Sequence, residues 1–149
     1  MKKLAITAIV AAMLAGSTGA SAVSDASTTP APERTLHVKR LVLHPIESHK
    51  PAPNHFLGVD RLRSLATHKI AGYDNWSGVL NPKTQVLRFW MPISLKGGLI
   101  DTAFKVPPGT GASFTGRITH GYGKYRGIEG IIKVRNGPRR TVYTLRYRL

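Results

Sequence analysis

From residue 85 onward the chain alternates apolar and polar residues with period two, the pattern of strands that bury one face. In residues 85–96, Leu87, Phe89, Met91, Ile93 and Leu95 alternate with Arg88, Trp90, Pro92, Ser94 and Lys96, and Gly97-Gly98 follows as a tight-turn signal. A turn centred there sets Leu95 opposite Ile100, Ile93 opposite Thr102, Met91 opposite Phe104 and Phe89 opposite Val106. Pro92 has no N–H for a ladder, so an unpaired stretch or a bulge is expected around it. Near the C-terminus, Ile128, Gly130, Ile132 and Val134 share one face, as do Thr141, Tyr143, Leu145 and Tyr147, while Arg140, Thr144, Arg146 and Arg148 point the other way. With Asn136-Gly137 as the turn, Ile132 meets Thr141, Gly130 meets Tyr143 and Ile128 meets Leu145, and the missing side chain at Gly130 leaves room for the Tyr143 ring.

Upstream the pattern is less regular. Residues 35–44 read as a first strand, the proline-rich residues 45–54 as a loop, residues 55–63 and 65–73 as strands, Asp74-Asn75 as a turn and residues 76–80 as a short strand before the Asn81-Pro82-Lys83 turn. Residues 107–111 form a loop. Eight or nine short strands at this spacing, with no long helical pattern, predict an all-β antiparallel sandwich or barrel. Closure into a small barrel of about eight strands removes the exposed edges and leaves an interior that is filled or just wide enough for one small ligand.

Residues 1–22 change the picture of where this domain works. Lys2 and Lys3 precede a short apolar run, and Ala20-Ser21-Ala22 is a small-residue cleavage site, so a signal peptide cut before Val23 and a secreted product are expected. Residues 23–33 are Ser, Thr, Ala and Pro in the main and read as a disordered leader, which leaves 34–149 as a single domain with no membrane span. There is no cysteine, hence no disulfide, thiol nucleophile or thiolate metal site. Lys and Arg number 22 against 7 Asp and Glu, a formal net charge of +15. Such a surface attracts anionic polymers or anionic lipid. Without an Arg-rich helix to enter a groove, specific nucleic-acid reading is not expected.

The run Thr119-His120-Gly121-Tyr122-Gly123-Lys124-Tyr125-Arg126-Gly127-Ile128-Glu129-Gly130 is spaced G-x-G-x-x-x-G and leads into a strand, which excludes a dinucleotide fingerprint. It resembles the T-G-G-[ST]-G-x-[FY]-x-G-x-x-G motif of the allene oxide cyclase and dirigent-like barrels, including small secreted bacterial members. Thr119, Gly121, Gly123, Tyr125, Gly127 and Gly130 match, whereas His120 replaces a glycine and Tyr122 a small hydroxyl residue. The resemblance implies a closed, eight-stranded antiparallel barrel of calycin-type shape with an apolar cavity, often in a homo-oligomer, that steers cyclisation or radical coupling. The cyclase's acidic first strand and cavity cysteine have no counterpart here.

No catalytic residue, cofactor or metal site is assigned from the residues themselves. His44, His49 and His55 fit no ligand spacing, and His120 sits in the glycine motif where it could face the barrel mouth. Asp60 is followed by cationic residues, Asp74 falls in an expected turn, and Asp101 and Glu129 point outward, so no buried acid is expected. Phe89, Met91, Thr102, Phe104 and Tyr143 form the inner wall nominated for a small apolar ligand, and plain core packing is the role small filled barrels favour for the same five. Any catalysis would be of an isomerase or cyclase type, through cavity shape without a covalent intermediate. Two other readings stand beside it: a cationic binder of an anionic envelope polymer or nucleic acid without enzymatic activity, and a structural module with a filled barrel.

Overall fold

The computed structural model describes residues 34–149, and the signal peptide and leader read from residues 1–33 lie outside them. Eight strands follow one another: β1 (His37–Ala52), β2 (His55–Ser64), β3 (Ile70–Leu80), β4 (Leu87–Leu95), β5 (Gly98–Val106), β6 (Ser113–Gly123), β7 (Glu129–Asn136) and β8 (Thr141–Arg148). Each pairs antiparallel with the next, and β1 pairs with β8 from His37↔Tyr147 to Leu43↔Thr141, which closes the barrel as the alternation requires. The β1–β2, β3–β4, β5–β6 and β7–β8 connections lie at one end, here the upper, and the other three connections at the lower end.

The two ends differ in packing. Leu41, Leu62, Ile93, Ile100, Ile132 and Leu145 are fully buried and fill the lower half. Beneath them Tyr125, from the β6–β7 connection, is 1% exposed and lies edge-on to Tyr147 at 6.2 Å, with Lys39 Nζ 3.4 Å from its hydroxyl. The glycine motif makes this cap. A side chain at Gly121 would run into the Tyr125 backbone, and Gly123 turns with φ 63° against the carbonyl of Gly97.

Several sequence expectations are corrected by the pairing. The central turn is Lys96-Gly97, with Gly97 at φ 90°, so Leu95 faces Gly98, Ile93 faces Ile100, Met91 faces Thr102 and Phe89 faces Phe104, two residues off the expected register. The last hairpin turns over residues 137–140, which sets Ile132 against Leu145, Val134 against Tyr143 and Gly130 against Tyr147, four residues off. Gly130 therefore admits the β8 backbone at Arg146 and Tyr147 rather than the Tyr143 ring. Both displacements are even, so every side chain keeps its face.

Residues 45–52 are strand rather than loop. β1 takes up its prolines at irregularities between Pro45 and Glu47 and between His49 and Ala52 while staying paired with β2. Asp74 and Asn75 lie inside β3 and not in a turn, and residues 65–69 form the β2–β3 connection. Pro92 interrupts the sheet as its missing N–H predicts: the β3–β4 ladder lacks the pairs between Asp74↔Ile93 and Ser77↔Trp90.

Candidate functional site

The upper half of the barrel is hollow. A cavity of about 520 Å³ opens there, lined by residues that include Leu43, Phe56, Leu87, Phe89, Met91, Phe114 and Thr141 around its wall and Asp60, Trp76 and Tyr143 at its floor. That volume lies within the roughly 300–1,000 Å³ of small-molecule sites. Phe89 and Phe104 stack at 4.3 Å, and Phe114 meets both edge-on at 5.8 Å, so one side of the cavity is a fixed aromatic wall. At the rim Lys50 Nζ sits 5.4 Å from the Phe56 ring centre.

The floor is acidic, contrary to the sequence expectation. On β2 the inward positions include Gly58, Asp60 and Leu62, and on β3 Asp74, Trp76 and Gly78; Asp60 pairs directly with Asp74 and Gly58 with Trp76. Asp60 is 4% and Asp74 1% exposed. Gly58 has a specific task here, because a Cβ would occupy the place of the Trp76 indole. The indole Nε1 donates to Asp60 Oδ2 at 3.0 Å and fixes that carboxylate at the cavity.

Asp74 lies behind it. Neither of its oxygens accepts a well-formed hydrogen bond, a poor setting for a buried carboxylate and a better one for a carboxylic acid that donates to Asp60. Burial, and then the charge of Asp60, push Asp74 up to about 8, against a smaller opposing pull from the Tyr143 hydroxyl. Burial also raises Asp60, with hydrogen bonds from Asp74 and Trp76 opposing it. Both carboxyls are thus shifted towards their protonated forms, Asp74 the further, as expected of facing buried carboxyls that cannot readily both ionise. Burial and the neighbouring carboxylates raise Tyr143, which stays a protonated donor.

Of the five wall residues read from sequence, Phe89, Met91 and Tyr143 line the cavity. Phe104 packs against Phe89 in the aromatic wall, and Thr102 is buried with its Oγ1 donating to the Met91 carbonyl at 2.7 Å, its polar atom already used. The motif residues Thr119, Gly121, Gly123, Tyr125, Gly127 and Gly130 belong to β6, the lower connection and β7, away from the cavity floor. His120 is exposed on β6 opposite Asp101 and does not face the mouth. Asp60, Asp74 and Trp76 were missed by sequence reasoning. The usable signal was parity: Gly58, Asp60 and Leu62 alternate, as do Gly72, Asp74, Trp76 and Gly78.

No protein-family profile and no curated protein sequence matches the chain. Solved structures do. A pyocyanin demethylase is similar at 23% identity over 74% of this chain and 99% of its own, with a TM-score of 0.62. The exo-specific intermolecular Diels-Alderase AbnU aligns at 14% identity, covering 78% of this chain and 98% of its own, TM-score 0.64. The pterocarpan synthase dirigent protein GePTS1 aligns at 12% identity, covering 87% and 98%, TM-score 0.60. The chain thus shares the closed eight-stranded barrel fold with the Diels-Alderase and the dirigent protein.

Proposed function

We propose that the protein binds a small, apolar, ring-bearing molecule in the upper cavity and guides its cyclisation or coupling, with the Asp60–Asp74 pair and Tyr143 moving or holding a proton. The observation that carries this reading is a buried pair of facing carboxyls at the floor of an aromatic-walled cavity. The Diels-Alderase and the dirigent protein of the same fold support it.

Asp60 and Tyr143 are the groups a ligand would touch, and Asp74 acts through Asp60 as the positioning partner that stores the proton. Where an oxygen of the ligand gains negative charge, the Tyr143 hydroxyl and the shared proton meet it; where the ligand releases a proton, Asp60 accepts it. The fixed stack of Phe89 and Phe104 limits the orientations a flat molecule can take, so shape supplies much of the guidance. No step needs a covalent intermediate. We also infer export, on the sequence of residues 1–22; N-terminal sequencing of protein recovered from the medium should then start at Val23.

The test is native mass spectrometry of the purified protein, with extraction of any bound small molecule, followed by product analysis with that molecule or its precursor. An apolar ligand at one per chain, transformed by wild type and only bound by Asp60→Asn, is the expected result. Protein that is ligand-free and takes up no neutral apolar fluorescent probe contradicts the reading.

A further inference from the structure

The wall of β6, β7, β8 and β1 carries a pattern the cavity does not need. Its outward residues fall into transverse rows across the strands. Arg117 pairs with Ile131, Ile131 with Arg146, and Arg146 with Val38. The next row is Thr115, Lys133, Thr144 and Arg40, and the next is Ser113, Arg135, Val142, Val42 and, on β2, Arg63. Six cations thus stand in three rows with no acid among them. Among the described residues the one ion pair is Arg34–Glu129 at the lower edge, and two of the acids, Asp60 and Asp74, are turned into the barrel.

Aliphatic side chains interleave the cations. Val38 is 54% and Ile131 43% exposed, and neighbouring Leu36 is 56% exposed. We propose that this wall docks on the surface of an anionic lipid bilayer. Cations two strands apart, about 10 Å, would meet headgroup charge. Val38, Ile131 and Leu36 would enter the boundary beneath, as the apolar side of an interfacial segment does. A nucleic-acid partner is disfavoured because the three rows hold no aromatic ring on which bases could stack. A plain polyanion gives no role to exposed aliphatic residues set between arginines. The inference is independent of the reaction proposed for the cavity.

The test is co-sedimentation of the protein with vesicles of phosphatidylglycerol and phosphatidylcholine, against phosphatidylcholine alone, at low and high salt. Binding should require phosphatidylglycerol and weaken with salt. At about 5-fold per cation, Arg40→Gln, Lys133→Gln and Arg146→Gln together should weaken partitioning on the order of 100-fold. Arg88→Gln with Lys105→Gln, outward on β4 and β5, should change it far less. Val38→Ser with Ile131→Ser should weaken vesicle binding while leaving heparin binding unchanged. Equal losses from the two charge sets, or binding to phosphatidylcholine alone as tight as to the anionic mixture, overturns the proposal. Vesicle binding indifferent to the two serine substitutions also overturns it, in favour of a polyanion. Circular dichroism confirms that each variant is folded.

Discussion

The lower half of the barrel is filled where the upper half is hollow, although the same eight strands with the same alternation build both. Below, Leu41, Leu62, Ile93, Ile100, Ile132 and Leu145 meet at the centre and Tyr125 closes the end. Above, the inward positions include Gly78 and Thr141, small residues that cannot reach one another, beside aromatic rings held against the wall. Side-chain size at inward positions therefore decides whether a barrel section is core or cavity. Between the halves sits the carboxyl pair, buried by the core below and open to the cavity above only through Asp60.

Substitutions can break this contrast. Tyr125→Ala should be the costliest, about 3–5 kcal/mol, because it removes a buried ring from the cap; chemical denaturation measures it, and a loss below 1 kcal/mol would mean that the cap is dispensable. Asp74→Asn should act through pH. The folded carboxyl near 8 holds a proton that the unfolded one, near 3.8, has lost, so the stability this group contributes is greatest below that lower value and falls as pH rises towards 8. The fall is up to about 1.4 kcal/mol per pH unit, and Asn should flatten it, as unfolding curves at pH 5, 7 and 9 would reveal. Phe89→Ala, in the half-buried upper wall, should cost about 1–2 kcal/mol and enlarge the space for a ligand. Its cost should stay well under that of Tyr125→Ala. Gly109→Ala, in the upper β5–β6 connection at φ 72° with open space around it, should cost only about 1 kcal/mol.

The faces of the strands were readable because alternation fixes parity, and the closed barrel was readable because so many short half-buried strands need closure. Registers were not, since an even displacement leaves the hydrophobic pattern untouched: Met91 is inward whether it meets Phe104 or Thr102. The prolines of β1 looked like a loop because the irregularities that absorb them depend on β2 alongside. The acidic floor was hidden for a related reason. A lone Asp at an inward position reads as an error in the pattern, and only the cross-strand pairing of Asp60 with Asp74, and of Gly58 with Trp76, makes sense of it. The glycine motif was legible as a fold marker, and its physical work is to seat Tyr125 at the end away from the cavity.

The most direct test of the account is a carboxyl-carbon NMR titration of the protein labelled at aspartate, with Asp60→Asn and Asp74→Asn for assignment. One carboxyl of the pair should titrate near pH 8, and that step should vanish in Asp74→Asn. Two ordinary transitions below pH 5 would show that both groups are ionised at neutral pH, and the shared proton at the cavity floor would be refuted.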